Sequence, residues 1–268
     1  MKIAFVQLAP ILGNVQETVR KLDVLLHHCE AADLVVLPEL CNSGYNFTSH
    51  RQAWETSEEI ERSTFIQFLE AKCRQFNLYL VSGFNERDGG ALFNSAVLVG
   101  PGGYLGRYRK LHLFMDEKDH FKPGDTALPV YDIGLCKIGM LVCFDWIFPE
   151  VWRVLTLKGA DIICHPSNLV LPGLAQRAIP IHALINRIYV VTANRIGAEG
   201  NLSFTGLSTI ASPDGEVLVQ ASQTEEEVGI IDVDIGLARD KMITERNDVL
   251  ADRRPEFYSL LTETRAKR

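Results

Sequence analysis

Gly139-Met-Leu-Val-Cys-Phe-Asp-Trp-Ile-Phe-Pro-Glu150 is the stretch on which the reading of this chain turns. The apolar run Ile138 to Val142 has the character of a buried strand, and Pro149-Glu150 with apolar residues at 151, 154 and 155 has that of a helix's first turn. Cys143 falls between them. A thiol at a strand's end, facing a helix N-terminus with its unpaired N–H groups, sits where thiolate is favoured and an adjacent oxyanion can be bound. Taken alone, a cysteine in such a run is more often a small buried hydrophobe. The flanking sequence has to decide between the two.

Upstream, residues 130 to 143 read as a hairpin running into that cysteine, 112 to 129 as a loop, and 104 to 111 as a strand with a basic end. Tyr79-Leu-Val-Ser-Gly and Asn94-Ser-Ala-Val-Leu-Val are strands separated by the Asp88-Gly-Gly90 turn. Two amphipathic helices are expected, at about 16 to 31 and 57 to 76, with a loop over 41 to 53. Lys2 to Leu8 and Leu34-Val-Val-Leu37 are apolar strands of the kind covered on both faces. Downstream come a helix at 149 to 158 with Gly159 as its C-cap, a strand Asp161-Ile-Ile-Cys-His-Pro166, a helix at 174 to 187, and the strand Tyr189-Val-Val-Thr-Ala. Strands at about 204 to 211 and 216 to 220 follow, and Val228-Gly-Ile-Ile-Asp-Val closes the sheet.

This alternation, with hairpins inserted, predicts two sheets packed together and covered outside by helices. An internal echo points the same way: Ala32-Asp-Leu-Val-Val-Leu-Pro38-Glu39 and Ala160-Asp-Ile-Ile-Cys-His-Pro166-Ser167 share one order of residue types, 128 positions apart.

The 268 residues, 47% hydrophobic, suffice for one large domain or two small ones. A net charge of −7 argues against a nucleic-acid binder, which needs a basic face. No apolar run approaches the ~20 residues of a membrane-spanning helix. The six cysteines are scattered without a Cys-x-x-Cys, and Met1-Lys-Ile-Ala lacks the pattern of a signal peptide, so a cytoplasmic protein without zinc ribbon or disulfide framework is expected.

Candidate chemistry lies at strand ends. Glu39 directly follows Leu37-Pro38, where a carboxylate is partly desolvated and suited to act as a base near neutral pH. Lys110 ends the strand Tyr108-Arg-Lys-Leu-His-Leu113, and Glu117 comes seven residues later. Each alone reads more readily as a solvated surface group. His112 and His165 read as packed or hydrogen-bonded, since no order of nucleophile, histidine and carboxylate is legible.

Strand-Pro-Glu, strand-Arg-Lys-x-His-Leu, then strand-Cys-Phe-Asp-x-x-Phe-Pro-Glu, taken together and in that order, resembles the nitrilase superfamily, the carbon–nitrogen hydrolases. The likeness runs from Met1 to about Arg254. It is nearest to small archaeal and bacterial nitrilase or amidase homologues, with Gly44-Tyr-Asn-Phe and His165-Pro-Ser-Asn-Leu-Val as further points of similarity.

The resemblance implies a four-layer α-β-β-α sandwich forming one carbon–nitrogen hydrolase domain over residues 1–268. It implies a Glu-Lys-Cys triad of Glu39, Lys110 and Cys143, with Glu117 as an additional carboxylate, no metal and no organic cofactor. It also implies a homodimer or higher homo-oligomer, assembled through the helices at about 149 to 158 and 174 to 187, with the charged extension 241–268 packed on the partner subunit. The expected reaction is hydrolysis of a small amide through a cysteine thioester, with an aliphatic nitrile or an N-carbamoyl compound as alternatives. The backbone N–H of Phe144 is the expected oxyanion donor, Tyr45, Trp146 and Asn168 the expected pocket, and Arg177 or Arg195 possible partners for a substrate carboxylate. A non-catalytic protein on the same fold, and a redox thiol protein, are the rival classes.

Overall fold

The computed structural model describes residues 1–263; the last five residues of the expected extension 241–268 lie outside the described residues. In chain order the first half runs β1 (Lys2–Gln7), α1 (Val15–His27), β2 (Leu34–Val36), α2 (His50–Glu55), α3 (Thr64–Phe76), β3 (Tyr79–Asp88), β4 (Ala91–Gly100), β5 (Gly103–Arg109) and the single turn α4 (Glu117–His120). The second runs β6 (Val130–Asp132), β7 (Lys137–Met140), α5 (Pro149–Leu157), β8 (Ile162–Ser167), α6 (Leu174–Asn186), β9 (Tyr189–Asn194), a small hairpin β10 (Ala198–Glu199) and β11 (Leu202–Ser203), then β12 (Thr209–Ala211), β13 (Val217–Gln220), β14 (Glu227–Asp232) and α7 (Ile235–Arg239).

Two six-stranded sheets result, ordered β14-β1-β2-β3-β4-β5 and β13-β12-β9-β8-β7-β6. Each has a parallel trio at its centre, β1-β2-β3 in one and β7-β8-β9 in the other, flanked by antiparallel strands. Alternation along the strands divides the core as a pleated strand requires. Ile3, Phe5, Leu34 and Val36 face the other sheet, whereas Ala4, Val6, Val35 and Leu37 face Leu22, Leu26, Phe65 and Leu69 of α1 and α3. On the far side Trp152 and Leu155 of α5 and Ile179 and Ala183 of α6 cover the second sheet. The layers are therefore α-β-β-α.

The sequence echo is a structural one. Asp33 Oδ2 accepts from the N–H of Lys2 at 2.6 Å, and Asp161 Oδ2 accepts from that of Lys137 at 2.9 Å, so each aspartate ties the second strand of its trio to the start of the first. The strand expected to close the sheet closes the first sheet: β14 pairs antiparallel with β1, from Lys2↔Asp232 to Gln7↔Glu227. The loop expected over 41 to 53 contains α2, whose N-terminus is capped by Ser49. The helix expected from 57 begins only at Thr64, after a 3₁₀ turn and the Ser63 cap. Little of 204 to 211 is strand; pairing there is confined to Thr209–Ala211.

Two local constraints position what lies at the strand ends. Gly83 on β3 lies beneath the turn after β2, accepting from Cys41 N–H and donating to the Pro38 carbonyl. A Cβ there would stand 2.3 Å from Glu39 Cα and 2.5 Å from the Leu40 nitrogen, so the turn can lie this close only over glycine. On β8, the buried His165 donates through Nε2 to the Cys143 carbonyl at 2.9 Å, which makes Nδ1 the acceptor of the Thr192 hydroxyl at 3.1 Å. Burial lowers its pKa to about 4, so the ring is neutral.

Gly83→Ala is expected to destabilise the protein by about 1–3 kcal/mol and to reduce turnover in the folded fraction, checked by denaturant titration alongside activity. Because native His165 resists protonation while the unfolded ring titrates near 6.5, the unfolded state binds more protons below that pH. Stability should therefore fall as pH drops from about 6.5 to about 4, by at most about 1.4 kcal/mol per pH unit for this one group. His165→Gln should show a shallower slope in urea midpoints across that window.

Candidate active site

Glu39 leaves the end of β2 fully buried. Its Oε1 accepts from Lys110 Nζ and from Asn94 Nδ2, each at 2.7 Å, and its Oε2 has no hydrogen-bond partner among the described residues. Lys110 follows β5 and is pinned by its backbone, donating to the Asn94 carbonyl and accepting from Gly124 N–H. Its ammonium bridges two carboxylates, reaching Glu117 Oε1 at 2.8 Å. Burial alone would favour the neutral amine, but the Glu117 and Glu39 carboxylates outweigh it and raise the pKa. Lysine 110 is an ammonium ion.

Glu117 opens the turn α4. Its Oε1 also accepts from the Tyr45 hydroxyl at 2.7 Å and its Oε2 from Phe114 N–H at 3.1 Å. Burial raises its pKa and Lys110 opposes the rise. Tyr45 itself stays a phenol, its pKa raised by burial and then by Glu117.

Cys143 does not stand at a strand's end facing the helix that begins at Pro149, as the sequence suggests. Strand β7 stops at Met140, and a 3₁₀ turn over Cys143–Ile147 intervenes, with Cys143 as its first residue. Nor is the thiolate favoured. Burial, and then the Glu39 carboxylate, push its pKa well above the ordinary thiol value, with Lys110 acting in the opposite direction. The expectation failed because it counted helix N–H groups and not the burial of the thiol or the carboxylates beside it. The residue resting here is a neutral thiol.

Cys143, Phe144, Trp146 and Asn168 line one cleft; Tyr45 and Glu117 line the neighbouring one. Phe114 belongs to both and stands between them. Asn168 also donates to the Glu39 carbonyl at 3.0 Å, so it spans the acid and the thiol. The two arginines considered for a substrate carboxylate are elsewhere. Arg195 is buried against Glu199 at 2.8 Å and over the Phe204 ring, and Arg177 is exposed and turned back on the Gly173 carbonyl. Through Glu199, whose Oε2 accepts from Tyr45 and Asn46 N–H, Arg195 holds the Gly44-Tyr-Asn-Phe segment in place.

Several contributors were not singled out in the sequence. Asn94 fixes Glu39, and its only trace was its place in a strand. Asp145, two residues after the cysteine, accepts from the Tyr108 hydroxyl at 2.8 Å, from Val142 N–H at 2.9 Å and, through Oδ1, lies 2.7 Å from His112 Nδ1. It thus joins the Lys110 segment to the cysteine turn; the paired spacings Lys-x-His and Cys-x-Asp were the available signal. Phe114 carried none.

Comparison with known proteins shows the family. Residues 2–241 match the carbon-nitrogen hydrolase family model. A protein of Pyrococcus abyssi named a nitrilase is 48% identical over 96% of this chain and 99% of its own, and an (R)-stereoselective amidase of a Pseudomonas species is 35% identical over 95% and 92%. The crystal structure of an amidase from Nesterenkonia sp. is 26% identical and superposes with a TM-score of 0.81 over 97% of this chain and 96% of its own; in a mutant of the amidase from strain AN1, acrylamide has added to the active-site cysteine. With its α-β-β-α layers and its match over residues 2–241, this chain belongs to the carbon-nitrogen hydrolase family, enzymes that cleave carbon–nitrogen bonds other than peptide bonds.

Proposed function

We propose that the protein hydrolyses a small amide to the acid and ammonia through a thioester on Cys143, with Glu39 as the proton carrier. The observation that carries this reading is the unpartnered, buried Oε2 of Glu39, whose Oε1 is fixed by Lys110 and Asn94. Of the charged groups acting on the Cys143 thiol, Glu39 acts most strongly.

In the first half-reaction Glu39 takes the thiol proton and the thiolate sulfur bonds to the amide carbon, whose C=O electron pair moves onto oxygen. The Lys110 ammonium and the Phe144 N–H face that oxygen, each donor contributing on the order of 3 kcal/mol at such a site. The protonated Glu39 then returns its proton to the nitrogen as the C–N bond breaks, and ammonia leaves. In the second half-reaction Glu39 takes a proton from water, the hydroxide adds to the thioester carbon, and the C–S bond breaks as the proton goes back to sulfur. Glu117 keeps Lys110 charged throughout and, with Tyr45, fixes its direction. A guanidinium would not serve, because its planar fork cannot approach a tetrahedral centre as a compact ammonium does.

A second reading, nitrile hydrolysis, is favoured by the 48% identical relative that bears the name nitrilase. The same thiol adding to a nitrile gives a thioimidate, and one more water is consumed. N-carbamoyl compounds fit the same residues. The reading takes residues 1–268 as one catalytic unit in the cytoplasm. The six cysteines being free supports a reducing compartment, and no helix among the described residues is long and apolar enough to cross a membrane.

The same reading makes the protein a homodimer. Val154 and Leu157 on α5, Ile181 and Ile185 on α6, and Phe257, Leu260 and Leu261 in the tail leave apolar side chains exposed on one chain, as a face awaiting a second copy does.

Lys110→Arg is expected to abolish ammonia release while leaving the thermal midpoint measurable; substantial turnover in that variant removes Lys110 from the oxyanion site. Mass spectrometry of protein treated with an acyl donor should find the adduct on Cys143, and an adduct on Cys41 or Cys164 would refute the assignment. Sedimentation should give a dimer that Ile181→Glu with Leu260→Glu converts towards monomer.

A further inference from the structure

The cleft over Cys143 is walled by Phe114, Phe144, Trp146, Leu169, Val170 and Leu171, and among the described residues lining it only Cys143 and Asn168 are polar. Asn168 donates through Nδ2 to the Glu39 carbonyl, and its Oδ1 is the one side-chain acceptor of this wall without a partner among the described residues. The charged groups nearby are committed. Lys110 is held between its two carboxylates, Arg195 is paired with Glu199, Arg177 turns back on its own helix, and His112 pairs with Asp145 while stacking on Phe148. Asp116 and His120 line the neighbouring cleft, beyond Phe114.

We propose that this cleft receives the acyl side chain of the substrate, and that the side chain is uncharged and apolar. The proposal rests on the reading of Cys143 as nucleophile and names the substrate class of that same site. A carboxylate or ammonium on the side chain would leave water for a wall that offers no counter-ion and, beyond the neutral Asn168 amide, no polar side chain other than the reacting thiol, whereas methyl and methylene groups gain from the same transfer. The reacting end is different in kind: there the carbonyl oxygen has the Lys110 ammonium to face. The site thus sorts its substrates by the end away from the reacting carbon.

Three four-carbon amides of matched length test it: butyramide, succinamate and 4-aminobutyramide, compared by ammonia release at pH 7. Butyramide is expected to exceed both charged amides by at least about 100-fold in kcat/KM. Leu171, on the exposed rim of the cleft, supplies the second measurement. Leu171→Arg should raise kcat/KM for succinamate relative to butyramide at least about tenfold, since it adds the missing counter-ion. Turnover of either charged amide on a par with butyramide by the unaltered protein overturns the proposal; for 4-aminobutyramide it would mean that the chain reaches past Phe114 to Asp116. An unmoved ratio in Leu171→Arg also overturns it. If no amide releases ammonia, acylation of Cys143 by p-nitrophenyl butyrate but not by its succinyl counterpart still supports the apolar cleft, and an unlabelled Cys143 overturns both the cleft's assignment and the nucleophile.

Discussion

A lysine ammonium buried between two carboxylates is the interaction around which the site is built. Removing these ions from water costs several kcal/mol each, and one ion pair alone often fails to offset that cost. Here three further donors complete the cluster: Asn94 on Glu39, and the Tyr45 hydroxyl and Phe114 N–H on Glu117. Burial first, and then the Glu39 carboxylate beside it, keep the Cys143 thiol protonated. Moving the thiol proton to Glu39 leaves the net charge unchanged, and the proton needs no exit to solvent. A thiol rather than a standing thiolate also leaves the resting enzyme less open to oxidation.

Keeping such groups together demands backbone that most residues avoid. Leu40 beside Glu39, Met115 just before Glu117, and Cys143 itself all have φ in the left-handed region, at 48°, 43° and 41°. Each costs roughly 1 kcal/mol or more and persists only where the surroundings over-determine it. For Leu40 the surroundings are Gly83 beneath the turn and the bonds of Pro38 and Cys41 to it. For Cys143 they are His165 on its carbonyl and Asp145 on the N–H of Val142 before it. Neither histidine nor aspartate needs to touch substrate for its loss to be felt at sulfur.

The two halves of the chain explain why the site lies where it does. Each sheet has a parallel trio, anchored in the same way by Asp33 and Asp161. Glu39 follows the middle strand of the first trio; Asn168 follows the middle strand of the second and donates to the Glu39 carbonyl. Cys143 follows the first strand of the second trio. Lys110, after β5, and Asn94, on β4, come from the antiparallel side of the first sheet.

The sequence by itself determined the layer architecture, because apolar runs separated by helical periodicity require covered sheets. Glu39, Lys110 and Cys143 each read singly as an ordinary surface or core residue, and only the resemblance of the three linked motifs, taken in order, marked them. What only the tertiary structure decided is the state and surroundings of those residues. That Cys143 is a thiol, that Arg195 supports a loop and not a substrate, that β14 joins the first sheet, and that the cleft wall is apolar all depend on segments brought together from distant parts of the chain, as Lys2 and Asp232 are. Local pattern reports which face of an element is buried; electrostatics and strand partners depend on what is buried against it, and that distance relation is absent from any one stretch.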